Sequence, residues 1–229
     1  KKLINLIDKL SGNTNTNLFG YLPMIVSKNI KTWLVLSNVK PYNLNHIRPD
    51  YELRITFYDS CGSKVNFKKI RIKADKELKV CLNDYVKVRN NVIIPYYVKV
   101  QRNSLSEGFR GSTRTHFFYQ TKNSKASLHT QDGSLQQLSF KFYKCNNKEK
   151  KHIFIINPEK KPLVLNCNFL KYKGFSFSKT INSLGCDLIN IENPGSMKFD
   201  YLELKSDNPF KSYFLISDEK FNSISVDHL

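Results

Sequence analysis

The residues with the widest chemical repertoire lie near the middle of the 229-residue chain. Two strand-like runs, Thr113–Gln120 and Lys125–Thr130, are separated by four polar residues, a spacing typical of an antiparallel hairpin. In such a hairpin His116 lies directly opposite His129. Two opposed imidazoles can share a metal ion or can hydrogen-bond an anionic or hydroxylated ligand.

The two histidines belong to the densest polar set in the chain, which we predict to be a ligand-binding site. A loop rich in Gly, Ser and Arg precedes the hairpin, and segments that join β-sandwich domains often border clefts. The predicted ligand-binding residues are Arg110, Arg114, His116, His129 and Asp132. Plain connecting structure explains the same residues, and that alternative stays open.

Metal binding and catalysis are the rival interpretation of this region. Asp132 is the one carboxylate close to the two histidines in sequence, so no third metal ligand is evident. The sequence lacks the glycine-rich phosphate loops and the common hydrolase motifs. We therefore predict no cofactor, no metal and no catalytic residue. An enzyme or metal-dependent protein that uses the His116/His129 region is the alternative.

A basic strand is the second candidate site. In Phe67–Lys73, three cations alternate with isoleucines, so strand geometry places the cations on one face. We predict that these residues, Lys69, Arg71 and Lys73, bind a polyanion. The 37 Lys and Arg residues outnumber the 19 Asp and Glu residues, and the net charge of +18 favours such a partner. A solvated edge strand guarded by lysine explains the same pattern. A lysine-rich composition explains part of the charge.

The scaffold of both sites is indicated by a hairpin pattern that occurs twice. Leu53–Tyr58 and Val65–Ile72 flank a turn that contains Gly62, where the chain needs a positive φ. The pattern returns in Leu163–Ile181 around Gly174. In both copies a phenylalanine stands five residues before the glycine. A duplicated hairpin predicts a duplicated domain.

Short strands separated by turn-rich segments run through both halves of the chain. This spacing predicts an all-β fold made of two tandem antiparallel β-sandwich domains of about seven strands each. We expect a short N-terminal helix and linker at 1–17, a first sandwich with an extra, unduplicated hairpin at 18–134, and a second sandwich at 135–229. The last two strands of the second sandwich are predicted as separate elements, Lys198–Leu204 and Lys211–Ile216.

The cysteines and the apolar runs bear on the compartment. The five cysteines, at positions 61, 81, 145, 167 and 186, form no CxxC pair and no cluster with metal-ligand spacing. Secreted proteins more often carry paired cysteines, so we predict a cytoplasmic location. No apolar run approaches the roughly 20 residues that span a bilayer, so we predict no membrane span.

The order of several segments in the first half resembles bacterial two-layer β-sandwich domains of the sensory rhodopsin transducer kind. The segments are WLVLSN, ELRITFYDSCGSKV, KKIRIK, ELKVCLND and YYVKVQRN, all between residues 33 and 103. The resemblance implies a compact sandwich that is often oligomeric, interacts with partners and lacks catalysis.

Taken together, these features predict a non-catalytic binding or interaction module. Its ligand is a carbohydrate, another protein or a polyanion, and nucleic acid is the less favoured polyanion. Homo-oligomerisation is a further expectation.

Overall fold

The computed structural model describes residues 17–38, 50–88, 93–104, 115–130, 135–143, 149–171, 176–191 and 199–229. In these ranges the chain forms antiparallel β-strands and one short 3-10 helix, which confirms the all-β sandwich fold. The predicted N-terminal helix lies outside the described residues. No helix in the described ranges is long and apolar enough to cross a membrane.

The first half of the chain forms two four-stranded sheets. Sheet A has the order β1–β6–β3–β4, and sheet B has the order β5–β2–β7–β8. The elements are β1 (Asn17–Val26), β2 (Lys31–Ser37), β3 (Tyr51–Asp59), β4 (Lys64–Ile72), β5 (Glu77–Cys81), the 3-10 helix Leu82–Tyr85, β6 (Ile94–Ser104), β7 (His116–Gln120) and β8 (Lys125–His129).

The second half forms two further arrays that share one long strand, β14. The elements are β9 (Leu135–Tyr143), β10 (Lys150–Ile156), β11 (Leu163–Phe169), β12 (Ser176–Ile181), β13 (Cys186–Ile191), β14 (Phe199–Ser217) and β15 (Ile224–His228). The first part of β14 pairs with β9 and β11, which together with β12 we call sheet C. The last part of β14 pairs with β10 and β15, which together with β13 we call sheet D.

Two features of this half differ from the sequence prediction. The two strands predicted at Lys198–Leu204 and Lys211–Ile216 are one continuous strand, because the intervening Ser-Asp-Asn-Pro segment forms an irregularity between Lys205 and Phe210 instead of a turn. The final strand β15 was not predicted. It pairs with β14 as β8 pairs with β7, so the β7–β8 hairpin has a counterpart and the prediction that it is unduplicated is wrong.

The strands of the two halves pair in the same order. Sheet A corresponds to sheet C, with β14 in the place of β6, and sheet B corresponds to sheet D, with β14 in the place of β7. Among the described strands, β1–β8 pair only with one another, as do β9–β15. Strand pairing does not establish independent folding, so the division into domains at 18–134 and 135–229 stays a prediction.

Two hydrophobic cores hold the sheets together. The first core lies between sheets A and B, where alternate residues such as Leu53, Ile55 and Phe57 of β3 are buried. The second core lies between sheets C and D. Strand β10 of sheet D is buried on both faces, because its Phe154 joins the first core whereas the neighbouring Ile153 joins the second. The two halves therefore share the first core.

Candidate functional site

The β7–β8 hairpin places two histidines side by side on the outer face of sheet B. His116 pairs with His129 in the register that the sequence predicts, and their ring centroids are 6.4 Å apart in an edge-on arrangement. The alternate residues Phe117 and Tyr119 are buried in the first core, so the histidines point away from it. The predicted register and face are confirmed.

A third histidine, which the sequence analysis missed, contacts this pair. His228 on β15 places its Nε2 3.1 Å from Nδ1 of His129, a hydrogen bond in which one ring donates to the other. The ring centroids of these two residues are 4.5 Å apart. His228 also packs against Tyr213, its cross-strand partner on β14. The histidine pair of the first half is thus continued by a residue of the second half.

The remaining predicted members of this site cannot be placed. Arg110, Arg114 and Asp132 lie outside the described residues, so their grouping with the histidines stays a prediction. Within the described ranges, no group of three or more His, Cys, Asp or Glu side chains is arranged to hold a metal ion. The metal-dependent alternative therefore has no geometric support from the described part of the chain.

The outer face of sheet B continues from the histidines across all four strands. Strand pairing aligns its side chains in three cross-strand rows. One row contains Lys79, Val35, His116 and His129. The middle row contains Cys81, Trp33, Phe118 and Ser127. The third row contains Lys31, Gln120 and Lys125.

The middle row carries two aromatic rings, which we call the aromatic platform. Trp33 and Phe118 have ring centroids 6.2 Å apart and planes inclined by 15°. Lys79 places its Nζ 4.7 Å from the Trp33 ring and 4.5 Å from the Phe118 ring, a distance at which an ammonium is attracted to both ring faces. Both rings are half-buried. A nearly parallel pair of rings on the outer face of a sheet is suited to stacking against a ligand.

This platform was not predicted from the sequence. The signal was present in β2, where Leu34 and Leu36 are buried and the alternate residues Trp33 and Val35 face outward. Cross-strand pairing of Trp33 with Phe118 depends on which strands are neighbours, and β2 and β7 are far apart in sequence. That contact therefore could not be read from local alternation.

The charges around the platform are mostly positive. Lys31, Lys79 and Lys125 are exposed and lie on the rows beside or across it. Among the described residues of this face, Glu77 supplies a carboxylate, and it lies opposite Ser37 beyond the histidine row. Burial raises the pKa of the Cys81 thiol, so that this group beside Trp33 is kept in its neutral form.

The second predicted site lies on a different face. Lys69 and Arg71 project from the outer side of sheet A, where they pair with Arg54 and Glu52 of β3. Arg71 also forms an ion pair of 3.1 Å with Asp50. Lys73 follows β4 and is exposed. The alternation is as predicted, and a role in polyanion binding stays a prediction.

Comparison with known proteins adds little to this geometry. No protein-family model and no curated protein matches the chain. Two solved structures are similar at a low level, a glycosyl hydrolase family 2 member from Bacteroides cellulosilyticus with 10% identity and a TM-score of 0.21, and the β-glucuronidase of Bacteroides uniformis with 12% identity and a TM-score of 0.20. The matches cover 93% and 92% of this chain but only 28% and 26% of those proteins.

The chain thus spans about a quarter of the length of these two structures. Likeness at such scores carries no argument about function. The resemblance to domains of the sensory rhodopsin transducer kind is not tested by these matches and stays a prediction.

Proposed function

We propose that this protein is a non-catalytic binding module whose ligand is a carbohydrate that lies on the outer face of sheet B. The observation that carries the proposal is the aromatic platform of Trp33 and Phe118, two nearly parallel rings 6.2 Å apart on a face that also carries polar and basic groups. The platform is built from two neighbouring strands of a sheet, so strand pairing fixes the spacing of the two residues.

The chemistry of a sugar ring matches that of the platform. The face of an aromatic ring carries partial negative charge, and the C–H groups on one side of a pyranose ring carry partial positive charge. Stacking of the two buries apolar surface while the sugar hydroxyls stay at the periphery. Gln120, Ser127 and His116 carry polar groups and stand next to the rings on the same face. The arrangement therefore supplies both stacking and polar contacts.

The chain contains a single tryptophan, so its fluorescence reports directly on this site. We expect neutral oligosaccharides that bind to shift or quench the Trp33 emission in a saturable manner. Phe118→Ala should weaken binding about tenfold, since it removes one of the two stacking rings. Tyr201→Ala is the matched control, because Tyr201 is 39% exposed on sheet C, away from the platform.

Three outcomes would overturn the proposal. They are the absence of any saturable response across a broad glycan panel, equal loss of affinity in Phe118→Ala and Tyr201→Ala, and turnover of a glycan that is abolished by changing His116 or His129. The last outcome would favour the enzyme alternative. A zinc titration followed by the ring signals of His116, His129 and His228 tests the metal alternative separately, and we expect the signals to stay unchanged.

A further inference from the structure

We propose a second binding site, on the outer face of the β3–β4 hairpin in sheet A, that takes an acidic polysaccharide bearing sulfate or carboxylate groups. This site is separate from the aromatic platform, which lies on the outer face of the opposite sheet of the same sandwich. Its residues are the predicted Lys69, Arg71 and Lys73, together with Arg54 and Lys64 on the same face.

The geometry of the hairpin produces a grid of positive charge. Residues that alternate along β4 are about 7 Å apart, and side chains that face each other across the ladder are about 5 Å apart at Cβ. Lys69 is paired directly with Arg54, and Arg71 is one step further along the same face. The face carries five cations, Lys64, Lys69, Lys73, Arg54 and Arg71, against the carboxylates of Asp50 and Glu52.

The Lys69–Arg54 pair is informative because like charges directly opposite each other destabilise a sheet. Glu52 offsets part of this cost, since it forms an ion pair of 3.3 Å with Arg54. Among the described residues, no ion pair involves Lys69 or Lys73. A bound anion would relieve the repulsion between the two cations, so the arrangement is better suited to the liganded state than to the free one.

The second half of the chain tests whether the cations of β4 serve only to keep the edge of sheet A from pairing with another strand. β12 occupies the same edge position in sheet C that β4 occupies in sheet A. Its outward residues are Ser176, Ser178 and Thr180, which pair with Asn168, Asn166 and Val164 of β11. An edge strand of this fold therefore does not need a row of cations. Protection of the edge alone does not account for the cations of β4, whereas binding of a polyanion would.

The aromatic groups of the hairpin favour a polysaccharide over a single-stranded nucleic acid. Binding of single strands uses successive aromatic side chains on which bases stack. Tyr58 and Tyr97 on this side of sheet A stack on each other with centroids 4.8 Å apart, and Tyr97 is 1% exposed. Phe67 is 39% exposed, and one such ring does not form a series. The face thus offers charge without a series of free stacking surfaces.

The test uses the full chain and heparin as the probe. The variant Lys69→Gln/Arg71→Gln/Lys73→Gln should bind heparin at least tenfold more weakly, and the slope of log affinity against log salt should fall by about two. The matched control is Lys160→Gln/Lys161→Gln/Lys205→Gln, which removes the same charge from exposed positions of the second half. We expect the control to lose less than twofold, with circular dichroism unchanged in both variants.

Two other results of these heparin measurements would overturn the proposal. Equal losses in the two variants would show that net charge alone attracts heparin and would overturn the site. Tighter binding of oligo-dT than of heparin would overturn the assignment to polysaccharide. Phe118→Ala should leave heparin affinity unchanged. Lys69→Gln/Arg71→Gln/Lys73→Gln should leave the response of Trp33 to neutral sugars unchanged. Failure of one proposal is therefore distinguishable from failure of the other.

Discussion

Gly62 of the β3–β4 turn lies directly against the backbone of Ser183 in the turn that precedes β13. A Cβ atom at position 62 would overlap the carbonyl oxygen of Ser183. The contact is reciprocal, because a Cβ on Gly185 would lie 2.6 Å from the carbonyl oxygen of Ser60. The two halves of the chain therefore meet backbone to backbone at two glycines.

Replacement of Gly62 should destabilise the protein for two reasons. Its φ of +86° strains any residue with a Cβ, and the Cβ would push the turn away from Ser183. We expect Gly62→Ala to lower the free energy of unfolding by about 2–4 kcal/mol, measured by urea denaturation. Cys61→Ala is the control, because Cys61 is exposed in the same turn. Equal stability of the two variants would contradict the turn–turn contact. Gly174, the matching glycine of the second hairpin pattern, lies outside the described residues.

The Ser124 hydroxyl, in the β7–β8 turn, joins this hairpin to the start of β15. Ser124 Oγ accepts a hydrogen bond of 2.8 Å from the backbone amide of Ile224 and lies 3.2 Å from that residue's carbonyl oxygen. Ser124→Ala leaves this amide without its partner, which costs about 1–3 kcal/mol for a buried group. We expect a lower melting temperature and faster hydrogen exchange at the Ile224 amide. Ser127→Ala, an exposed position on the same hairpin, should change neither quantity.

The sequence predicted the parts of the fold that depend on local pattern. Alternation in β3 and β7 and the glycine turn at Gly62 each follow from residues close together in the chain, and each is observed. The pairing of His116 with His129 followed for the same reason, since a short hairpin fixes its own register. The strand prediction was wrong where residues typical of turns lie within a strand, as in the Asn208-Pro209 segment of β14.

The candidate site was predicted less completely because its members come from distant segments. The contact between His129 and His228 joins residues 99 positions apart. The platform residues Trp33 and Phe118 meet because β2 and β7 are neighbours in sheet B. Such neighbours are set by the packing of the whole chain, which a single sequence does not reveal.

His152 should make the protein sensitive to acid. Its ring is buried against Phe221 and shares a hydrogen bond of 2.9 Å with Ser217 Oγ. Burial, with a smaller contribution from Lys150, lowers the pKa of His152 from 6.5 to about 4. The unfolded chain therefore binds a proton between about pH 6.5 and pH 4 that the folded chain does not. Stability is complete above pH 6.5 and falls as the pH decreases through this window.

The free energy of unfolding should fall by about 2–3 kcal/mol between pH 6.5 and pH 4. His152→Gln cannot take up the proton and keeps a hydrogen-bonding group near Ser217, so its stability should depend less on pH over the same window. His116→Gln is the control, because His116 is exposed on sheet B. Urea titrations at pH 4.5 and pH 7 give the comparison, and identical pH dependence in wild type and His152→Gln would exclude this explanation.

Unfolding of the whole chain should be a single cooperative event, although the two halves pair their strands separately. The reason is the first core, in which Phe154 and Tyr213 of the second half pack among residues of sheets A and B. Tyr213 also donates a hydrogen bond from its hydroxyl to the carbonyl oxygen of Tyr21. Separating the halves would expose these side chains, so neither half reaches its full stability alone. We expect one calorimetric transition whose calorimetric and van't Hoff enthalpies agree.

Two substitutions at neighbouring positions of β10 distinguish cooperative unfolding of the whole chain from separate unfolding of the two halves. Phe154 faces the first core and Ile153 faces the second, and both are fully buried. Phe154→Ala should remove about 3–5 kcal/mol, and Ile153→Ala about 2–5 kcal/mol. If the halves unfold together, each variant shifts the same single transition. If they are independent domains, wild type shows two transitions, and Ile153→Ala shifts only the one that belongs to the second half.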